Sequence, residues 1–281
     1  MLGRLRLSGS AAGCVALCIR RYPVVLLIAC GLLLPQGVSA DTLRLAVASN
    51  FATVIDEIAA GFERESGHAL SISLGSTGKH FAQILNGAPF DVFLAADAER
   101  PERLDRMGRL VPGSRFTYAI GRLVVWAPQR TSLALPDDLA KAESEDQRTD
   151  QDLPRIAIAN PRLAPYGRAA REALIALGLW DELRARLVRG ENIGQAFQFV
   201  YSGNAAVGFV AGSQLVAHQH AIRGARWAVP ADLHAPIEQQ AGLLRDSAAG
   251  RAFMAYLRSA EVRRMIRDAG YRLPDAPPPR P

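Results

Sequence analysis

Cysteine is nearly absent from this chain. Its three cysteines, Cys14, Cys18 and Cys30, all lie within the first 40 of 281 residues. The rest of the chain has no thiol, which excludes disulfides, thiolate metal sites and a cysteine nucleophile there. With 49% hydrophobic and 21% charged residues, the composition is that of a globular protein with material for one large domain or two ordinary ones.

Long apolar runs are also scarce, and the one at residues 24–34 follows four arginines and precedes Val38-Ser39-Ala40. This order is typical of a secretory signal, so we expect cleavage after Ala40 and a periplasmic protein. The run is shorter than the about 20 residues that a membrane-spanning helix needs. An alternative is a lipoprotein anchored at Cys30, because Leu27-Ile28-Ala29-Cys30 resembles a lipoprotein box, although the apolar run continues past it to Leu34.

A strong charge of one sign is lacking once the expected signal is removed. That segment carries four of the 33 basic residues and none of the 27 acidic residues, so the rest of the chain has a net charge of +2. No basic stripe with interleaved aromatic residues remains. Nucleic-acid binding therefore has little support.

Familiar catalytic and metal-binding motifs are missing as well. No Gly-x-Ser-x-Gly sequence occurs anywhere in the chain. Residues 73–80 do not form a phosphate-binding loop, because Ser73 and His80 stand where that motif requires Gly and Ser or Thr. His218 and His220 are two positions apart, so they would not share one face of a helix as metal ligands.

What the sequence does contain is an alternation of strand-like and helix-like segments. Apolar residues at every second position predict strands, and apolar residues at helical spacing predict helices. The predicted strands are 43–47, 70–74, 92–96, 118–126, 156–159, 205–210 and 239–244. The predicted helices are 51–62, 81–85, 166–177, 179–187, 193–201 and two near Phe253 and Val262. Such alternation builds mainly parallel sheets flanked by helices, so the predicted fold class is α/β.

Two segments do not fit the alternation. A polar insertion occupies residues 141–152, and the tail from Pro274 to the end is too rich in proline to pack. The last predicted strand and helices are too few for a third domain. We therefore expect them to return to the first set of segments and complete it.

Small polar residues begin four of the predicted helices. These starts are Ala48-Ser49-Asn50-Phe51, Gly75-Ser76-Thr77-Gly78, Ala164-Pro165-Tyr166-Gly167 and Glu191-Asn192-Ile193-Gly194. A helix start has unbonded backbone N–H groups at the positive end of the helix dipole, so it can hold an anion. Any one start is explained by simple capping. Two in each set of segments, next to strand ends, favour a shared anion site.

Taken in order, these segments resemble the periplasmic molybdate-binding proteins that serve an ABC transporter. The resemblance covers about residues 43–273. Besides the four helix starts, it rests on Ala46-Val47, Lys79, Gly87-Ala88-Pro89-Phe90-Asp91-Val92-Phe93-Leu94-Ala95-Ala96-Asp97, Asn160-Pro161 and Gln195-Ala196. Matches in this number and order are highly specific.

The resemblance implies a two-lobed periplasmic binding protein fold of type II, with an oxyanion in the cleft between the lobes. Lobe 1 would comprise residues 41–122 and 239–274, and lobe 2 residues 123–238, between a signal peptide at 1–40 and a disordered tail at 275–281. The implied ligand-binding residues are Ser49, Asn50, Ser76, Thr77, Tyr166 and, through its backbone N–H, Ile193. No residue is implied as catalytic or as a direct metal ligand, and no cofactor is implied.

The implied function is to capture molybdate, and also tungstate, and to deliver it to the membrane permease of an ABC importer. The protein would be a periplasmic monomer that is not an enzyme and binds no nucleic acid. Some members of the family use a tyrosine where this chain has Ala211, which leaves one side-chain donor fewer. Lys79 and Arg168 adjoin the site, and we expect them to be solvated charges that steer anions inward.

Three alternatives stay open at this point. The ligand could be another small oxyanion such as sulfate. The chain could also be an enzyme on the same scaffold, which the lack of a paired acid and base opposes, or the effector domain of a transcription regulator, which the signal opposes. A site made only of donors would reject phosphate, which carries a proton near neutral pH, and Glu191 is expected to point away from it.

Overall fold

The computed structural model describes residues 42–133, 139 and 154–274. The expected signal at residues 1–40, the polar insertion at 141–152 and the tail at 275–281 lie outside the described residues, so they stay predictions.

The described residues form strands and helices in alternation, as predicted. The strands are β1 (Thr42–Ala48), β2 (Ala69–Gly75), β3 (Val92–Leu94), β4 (Phe116–Gly121), β5 (Leu123–Ala127), β6 (Ile156–Ala159), β7 (Leu187–Gly190), β8 (Val207–Ala211), β9 (Ala225–Ala228) and β10 (Ile237–Leu243). The α-helices are α1 (Ala52–Ser66), α2 (Thr77–Leu85), α3 (Glu99–Arg106), α4 (Pro165–Ala176), α5 (Trp180–Leu183), α6 (Ile193–Tyr201), α7 (Gly212–Ala217), α8 (Ala248–Tyr256) and α9 (Ala260–Asp268). A 3₁₀ turn covers Ser49–Phe51 between β1 and α1.

The strands form two five-stranded sheets. The first has the order β2-β1-β3-β10-β4, and the second has the order β7-β6-β8-β5-β9. In the first sheet only β10 runs against the other four strands, and in the second only β5 does. The prediction of two mainly parallel sheets in two lobes is therefore confirmed. We call the first sheet and its helices lobe 1 and the second sheet and its helices lobe 2.

Each lobe has its own apolar core, built by the alternation that predicted the elements. In lobe 1, Leu45 of β1, Phe51 of the 3₁₀ turn and Phe253 of α8 are fully buried between the sheet and its helices. In lobe 2, Ile158 of β6 and Phe209 of β8 are buried in the corresponding position. These cores fix the ends of the parallel strands, from which the loops to the site begin.

The predicted single strand at 118–126 is wrong, because the structure divides it into β4 and β5 of different sheets. Arg122 stands between them, and its Nε atom donates to the carbonyl of Gly270 at 2.9 Å. Gly121 has to be a glycine, since a side chain there would collide with the hydroxyl of Tyr166. The continuous apolar pattern of this stretch arises because both strands are buried.

The predicted helix at 179–187 is also wrong beyond its first turn. The helix α5 ends at Leu183, and Leu187 begins β7, which pairs in parallel with β6 at the edge of the second sheet. The apolar residues at 179, 183 and 187 have helical spacing. However, only the first two pack as residues of a helix, and Leu187 lies opposite Ile156 in the ladder.

Candidate functional site

The four helix starts singled out in the sequence meet around one cavity between the lobes. The cavity has a volume of about 10 Å³, which is room for about one water-sized sphere. Its lining comprises Ala48, Ser49, Asn50, Gly75, Ser76, Thr77, Ala96, Ala164, Pro165, Tyr166, Asn192 and Ile193. All six residues that the sequence singled out as ligand-binding are in this set, whereas Ala211 is not.

Lobe 1 contributes two buried hydroxyl groups at the start of α2. Ser76 is the N-cap residue, and its Oγ atom accepts a hydrogen bond from the backbone N–H of Lys79 at 3.4 Å. The Oγ1 atom of Thr77 accepts from the N–H of Ala96 at 3.0 Å. Each oxygen accepts in these bonds, and within the described residues neither hydroxyl hydrogen has an acceptor. Both groups can therefore donate to an anion.

The 3₁₀ turn of lobe 1 lies opposite the start of α6. The Oγ atom of Ser49 accepts from the N–H of Gly194 at 3.3 Å, which joins the two lobes and leaves the hydroxyl hydrogen available. The side-chain nitrogen of Asn50 donates to Gln239 and to Tyr271, each at 2.9 Å. Consequently, the donor that Asn50 can offer to the cavity is its backbone N–H, which has no acceptor in the described part of the chain.

Lobe 2 contributes Tyr166 and Ile193. Tyr166 lies in the first turn of α4 and is 1% exposed. Burial raises the pKa of Tyr166 well above its ordinary value, so the hydroxyl keeps its proton and is a donor at neutral pH. Ile193 is the first residue of α6, whose N-cap Asn192 accepts from the N–H of Gln195 at 3.0 Å. The N–H of Ile193 has no partner among the described residues.

Gln239 is a site residue that the sequence reasoning missed. It lies fully buried in β10, and its amide nitrogen donates to the Tyr166 hydroxyl at 3.3 Å. Because that hydroxyl accepts from Gln239, its own hydrogen is directed elsewhere. The side-chain oxygen of Gln239 accepts from Asn50. Two adjacent glutamines in a predicted strand were the available signal, since buried amides need hydrogen-bond partners and so indicate a polar network.

The cavity is neutral, since its lining has no charged side chain. Two acids stand beside it in the sequence, and each is paired with a cation: Asp97 with Arg100, and Glu191 with Lys79 at 2.9 Å. Burial raises the pKa of Asp97, against the effect of the adjacent Arg100. An anion in the cavity would thus be held by dipoles and hydroxyl groups alone.

Lys79 and Arg168, which we expected from the sequence to be solvated charges that steer anions, each form an ion pair across the cleft. Lys79 of lobe 1 pairs with Glu191 of lobe 2 at 2.9 Å, and Arg168 of lobe 2 pairs with Glu99 of lobe 1 at 2.6 Å. The sequence gave no sign of these two pairs, because Glu191 and Glu99 each lie in the opposite lobe. These cations link the two sides of the cleft.

Backbone contacts also close the cleft. The N–H of Gly78 in α2 donates to the carbonyl of Leu163 at 2.8 Å, and the hydroxyl of Ser213 in α7 donates to the carbonyl of Asn50 at 3.1 Å. Both bonds cross from one lobe to the other. In the described conformation the two lobes are therefore in direct contact beside the cavity.

Comparison with known proteins identifies the family. Residues 43–272 match the family model described as a bacterial extracellular solute-binding protein. The chain is 40% identical over 256 residues to the molybdate-binding protein ModA of Rhodobacter capsulatus, covering 90% of this chain and 96% of that protein. It is 41% identical over 244 residues to ModA of Azotobacter vinelandii, covering 86% and 94%. The chain belongs to the ModA family of extracellular solute-binding proteins.

A solved structure within the ModA family supports the same assignment of the fold. The periplasmic molybdate-binding protein of Azotobacter vinelandii matches with a TM-score of 0.73 and 40% sequence identity, over 83% of this chain and 99% of that one. The expected type II binding-protein fold is thus confirmed. Homologues in the ModA family are binding proteins that take molybdate as a ligand rather than as a cofactor.

Proposed function

We propose that this protein captures molybdate, and also tungstate, in the cleft between its lobes and delivers it to the permease of an ABC importer. The observation that carries this proposal is the convergence of four helix starts and their hydroxyl groups on one neutral cavity. Membership in a family with molybdate-binding relatives supports the choice of ligand. The proposed ligand-binding residues are Ser49, Asn50, Ser76, Thr77, Tyr166 and Ile193.

The chemistry of the donors supports a fully ionised oxyanion. Molybdate has four oxygens that only accept hydrogen bonds, and the free donors of the cavity are hydroxyl and backbone N–H groups. Phosphate near neutral pH carries at least one proton, and its O–H group would lack an acceptor at a cost of about 1 to 3 kcal/mol.

The wider assignment rests on the same features. The cavity lining has no acid paired with a base, which supports a binding protein rather than an enzyme. We propose that the protein acts as a monomer without nucleic acid, in the periplasm after signal cleavage near Ala40. For the lobes we propose residues 41–122 with 239–274 and residues 123–238, since β4 and β5 belong to different sheets and β10 returns to the first, beginning two residues before this boundary.

Competition calorimetry on the purified protein tests the proposal. Molybdate at about 100 times its dissociation constant should stabilise the fold by about 2.7 kcal/mol. Phosphate should not compete. Phosphate binding as tight as that of molybdate would contradict the donor-only cavity. Sulfate binding as tight as that of molybdate would assign the protein to the alternative function of sulfate capture.

A further inference from the structure

Lobe 2 has a second concave site, with a lining different from that of the anion cavity. It has a volume of about 470 Å³ and is lined by Asn160, Pro161, Arg162, Arg171, Trp180 and Arg189. We call it the arginine pocket. Its volume is within the range of small-molecule sites, which is about 300 to 1,000 Å³. None of its residues lines the cleft cavity.

Three unpaired cations surround the arginine pocket. Arg162, Arg171 and Arg189 are all exposed, and none of them forms an ion pair with an acid in the described part of the chain. Three like charges around one concavity repel one another. A bound anion would relieve this repulsion and gain a charge-assisted hydrogen bond from each guanidinium group.

The acids nearest in the sequence are already used by other groups. Glu172 follows Arg171, yet its carboxylate faces Arg168 at 3.9 Å and accepts from the N–H of Ala235 at 2.9 Å. Likewise, Asp181 follows Trp180 and lies 3.8 Å from Arg184. Within the described residues, these two carboxylates thus do not pair with the arginines of the pocket.

An aromatic ring completes the arginine pocket. Trp180 is half-buried, and the guanidinium of Arg171 lies 5.3 Å from the centre of its ring. Such stacking holds the guanidinium plane in place while its N–H groups stay free to donate. The ring also offers an apolar wall against which the carbon skeleton of an organic ligand can pack.

The backbone that carries these side chains is held in place by hydrogen bonds. Arg162 belongs to the loop after β6, in which the side-chain oxygen of Asn160 accepts from the N–H of Arg162 at 3.0 Å. The N–H of Asn160 in turn donates to the carbonyl of Gly190, one residue after Arg189 in β7. The loop and the strand that carry two of the arginines are thus joined by a hydrogen bond of 2.7 Å.

Protection of the sheet edge explains only part of this arrangement. The strand β7 is an edge strand, and a charged residue such as Arg189 discourages pairing with another chain. That role does not account for Arg162 and Arg171, which lie on a loop and on α4. Their convergence with Trp180 on one pocket requires a different explanation.

We propose that the arginine pocket binds a small organic polyanion with two or more carboxylate or phosphate groups. Several guanidinium forks match several anionic oxygens, and Trp180 packs against the carbon skeleton. This site differs in principle from the cleft cavity, where neutral donors enclose one compact ion. It is open and charged, so it suits a larger ligand that keeps part of its hydration.

Fluorescence of Trp180 tests the proposal on the purified full chain, with citrate as the organic probe and pyrophosphate as a polyanion that has no carbon skeleton. At constant ionic strength, citrate should cause a saturable change in emission, pyrophosphate should bind more weakly than citrate, and acetate should cause no change. The change should vanish in Trp180→Phe. Arg171→Gln and Arg189→Gln should each weaken binding about tenfold or more, whereas molybdate binding measured by calorimetry should be unaffected.

Arg226→Gln is the matched control, because Arg226 is an exposed arginine on β9, the opposite edge of the same sheet. It removes the same charge and should leave the titration unchanged. Equal weakening in Arg226→Gln, or an equal response to acetate, would reduce the effect to non-specific charge attraction and overturn the proposal. Binding of a hexaglutamate peptide while citrate and pyrophosphate are silent would also overturn it, in favour of an acidic protein partner.

Discussion

Three hydroxyl groups of the cavity lining can donate to an anion, because the oxygen atom of each already accepts a hydrogen bond from another residue. Thr77, Ser49 and Tyr166 each accept one hydrogen bond, from Ala96, Gly194 and Gln239 respectively. In the closed form, this arrangement leaves each hydroxyl hydrogen free to donate. Removing the hydroxyl should therefore lower the affinity for molybdate and leave the fold in place.

Substitution of the hydroxyl residues tests this directly. Ser49→Ala and Thr77→Ala should each weaken molybdate binding by about 1.5 to 3 kcal/mol, the usual contribution of a hydrogen bond to a charged group. Isothermal calorimetry measures the change. Thr77→Ser keeps the hydroxyl and should bind nearly as the parent protein does. Unchanged affinity in both alanine variants would mean that the anion lies elsewhere.

His80 gives the protein a pH dependence that is separate from ligand binding. It is 2% exposed in α2, with its Nε2 atom 3.2 Å from the carbonyl oxygen of Val47. Burial lowers the pKa of His80 below 6.5, against the hydrogen bonds with Gln83 and Val47, which raise it. The unfolded chain then binds more protons than the folded one as the pH falls, so stability decreases below about pH 6.5.

Urea unfolding at two pH values measures this effect. Between about pH 7.5 and 5.5 the free energy of unfolding should decrease, and the decrease should be smaller in His80→Gln, which has no proton to bind. The two proteins are compared by how much the free energy of unfolding changes with pH, because the substitution itself changes the packing around Val47. An identical slope in His80→Gln would exclude His80 as the source.

At the scale of elements, the start of α2 approaches lobe 2 more closely than any side chain allows. A Cβ atom on Gly78 would lie 2.8 Å from the carbonyl oxygen of Leu163 and 3.0 Å from its Cα atom. Both neighbours are backbone atoms, so they cannot move aside as a flexible side chain could. The absence of a side chain at residue 78 is what lets the lobes close over the cavity.

Gly78→Ala should therefore weaken molybdate binding by about 1 to 3 kcal/mol, the usual cost of an overpacked contact. Stability without ligand should change little, because the open form has no such contact. Calorimetry with molybdate and thermal unfolding without it separate the two effects. Gly212→Ala is the matched control, since a Cβ atom there would meet Arg122 at an ordinary distance of 3.5 Å.

Elements with strong periodicity could be predicted from the sequence, and those fixed by contacts distant along the chain could not. The alternation of Leu43, Leu45 and Val47 predicted β1, and the cap at Ser76 predicted the start of α2. The helix α3 was missed because it is mostly charged and buries only Pro101 and Leu104. The short strand β9 and the helix α7 likewise lack a local pattern, and their neighbours in the fold determine them.

For the site, the backbone donors at helix starts could be predicted, because a small polar residue before an apolar run marks them locally. The pairing of Lys79 with Glu191 and the role of Gln239 could not be predicted in this way. Lys79 and Glu191 are 112 positions apart in the sequence, and Gln239 and Tyr166 are 73 positions apart. Such relations appear only when the two sheets are placed side by side.

For the molecule as a whole, closure is the property that the interlobe contacts control. Molybdate contacting donors of both lobes should favour the closed form, and small-angle scattering should show a smaller radius of gyration at saturation. The ion pairs Lys79–Glu191 and Arg168–Glu99 add to closure. Because these side chains are about half exposed, each pair contributes less than about 1 kcal/mol, and salt screens it.

A charge exchange tests the first pair. Lys79→Glu should weaken molybdate binding at low salt, and the double variant Lys79→Glu with Glu191→Lys should restore most of the affinity, since it re-creates the pair in reverse. The difference should shrink at high salt. If the double variant binds no better than Lys79→Glu, the charge of residue 79 acts on the anion itself and not through closure.

The position of β10 has a consequence for how the chain folds. This strand lies between β3 and β4, although it comes from the last part of the described chain, and Ala241 pairs with Leu94. The second sheet is formed by one continuous stretch of chain, so it can assemble before the first is complete. Closing the long loop to β10 is slow because it joins residues far apart in sequence. Until then, β3 and β4 expose unpaired edges that can associate with other chains, so synthesis that stops before β10 would yield an aggregation-prone product.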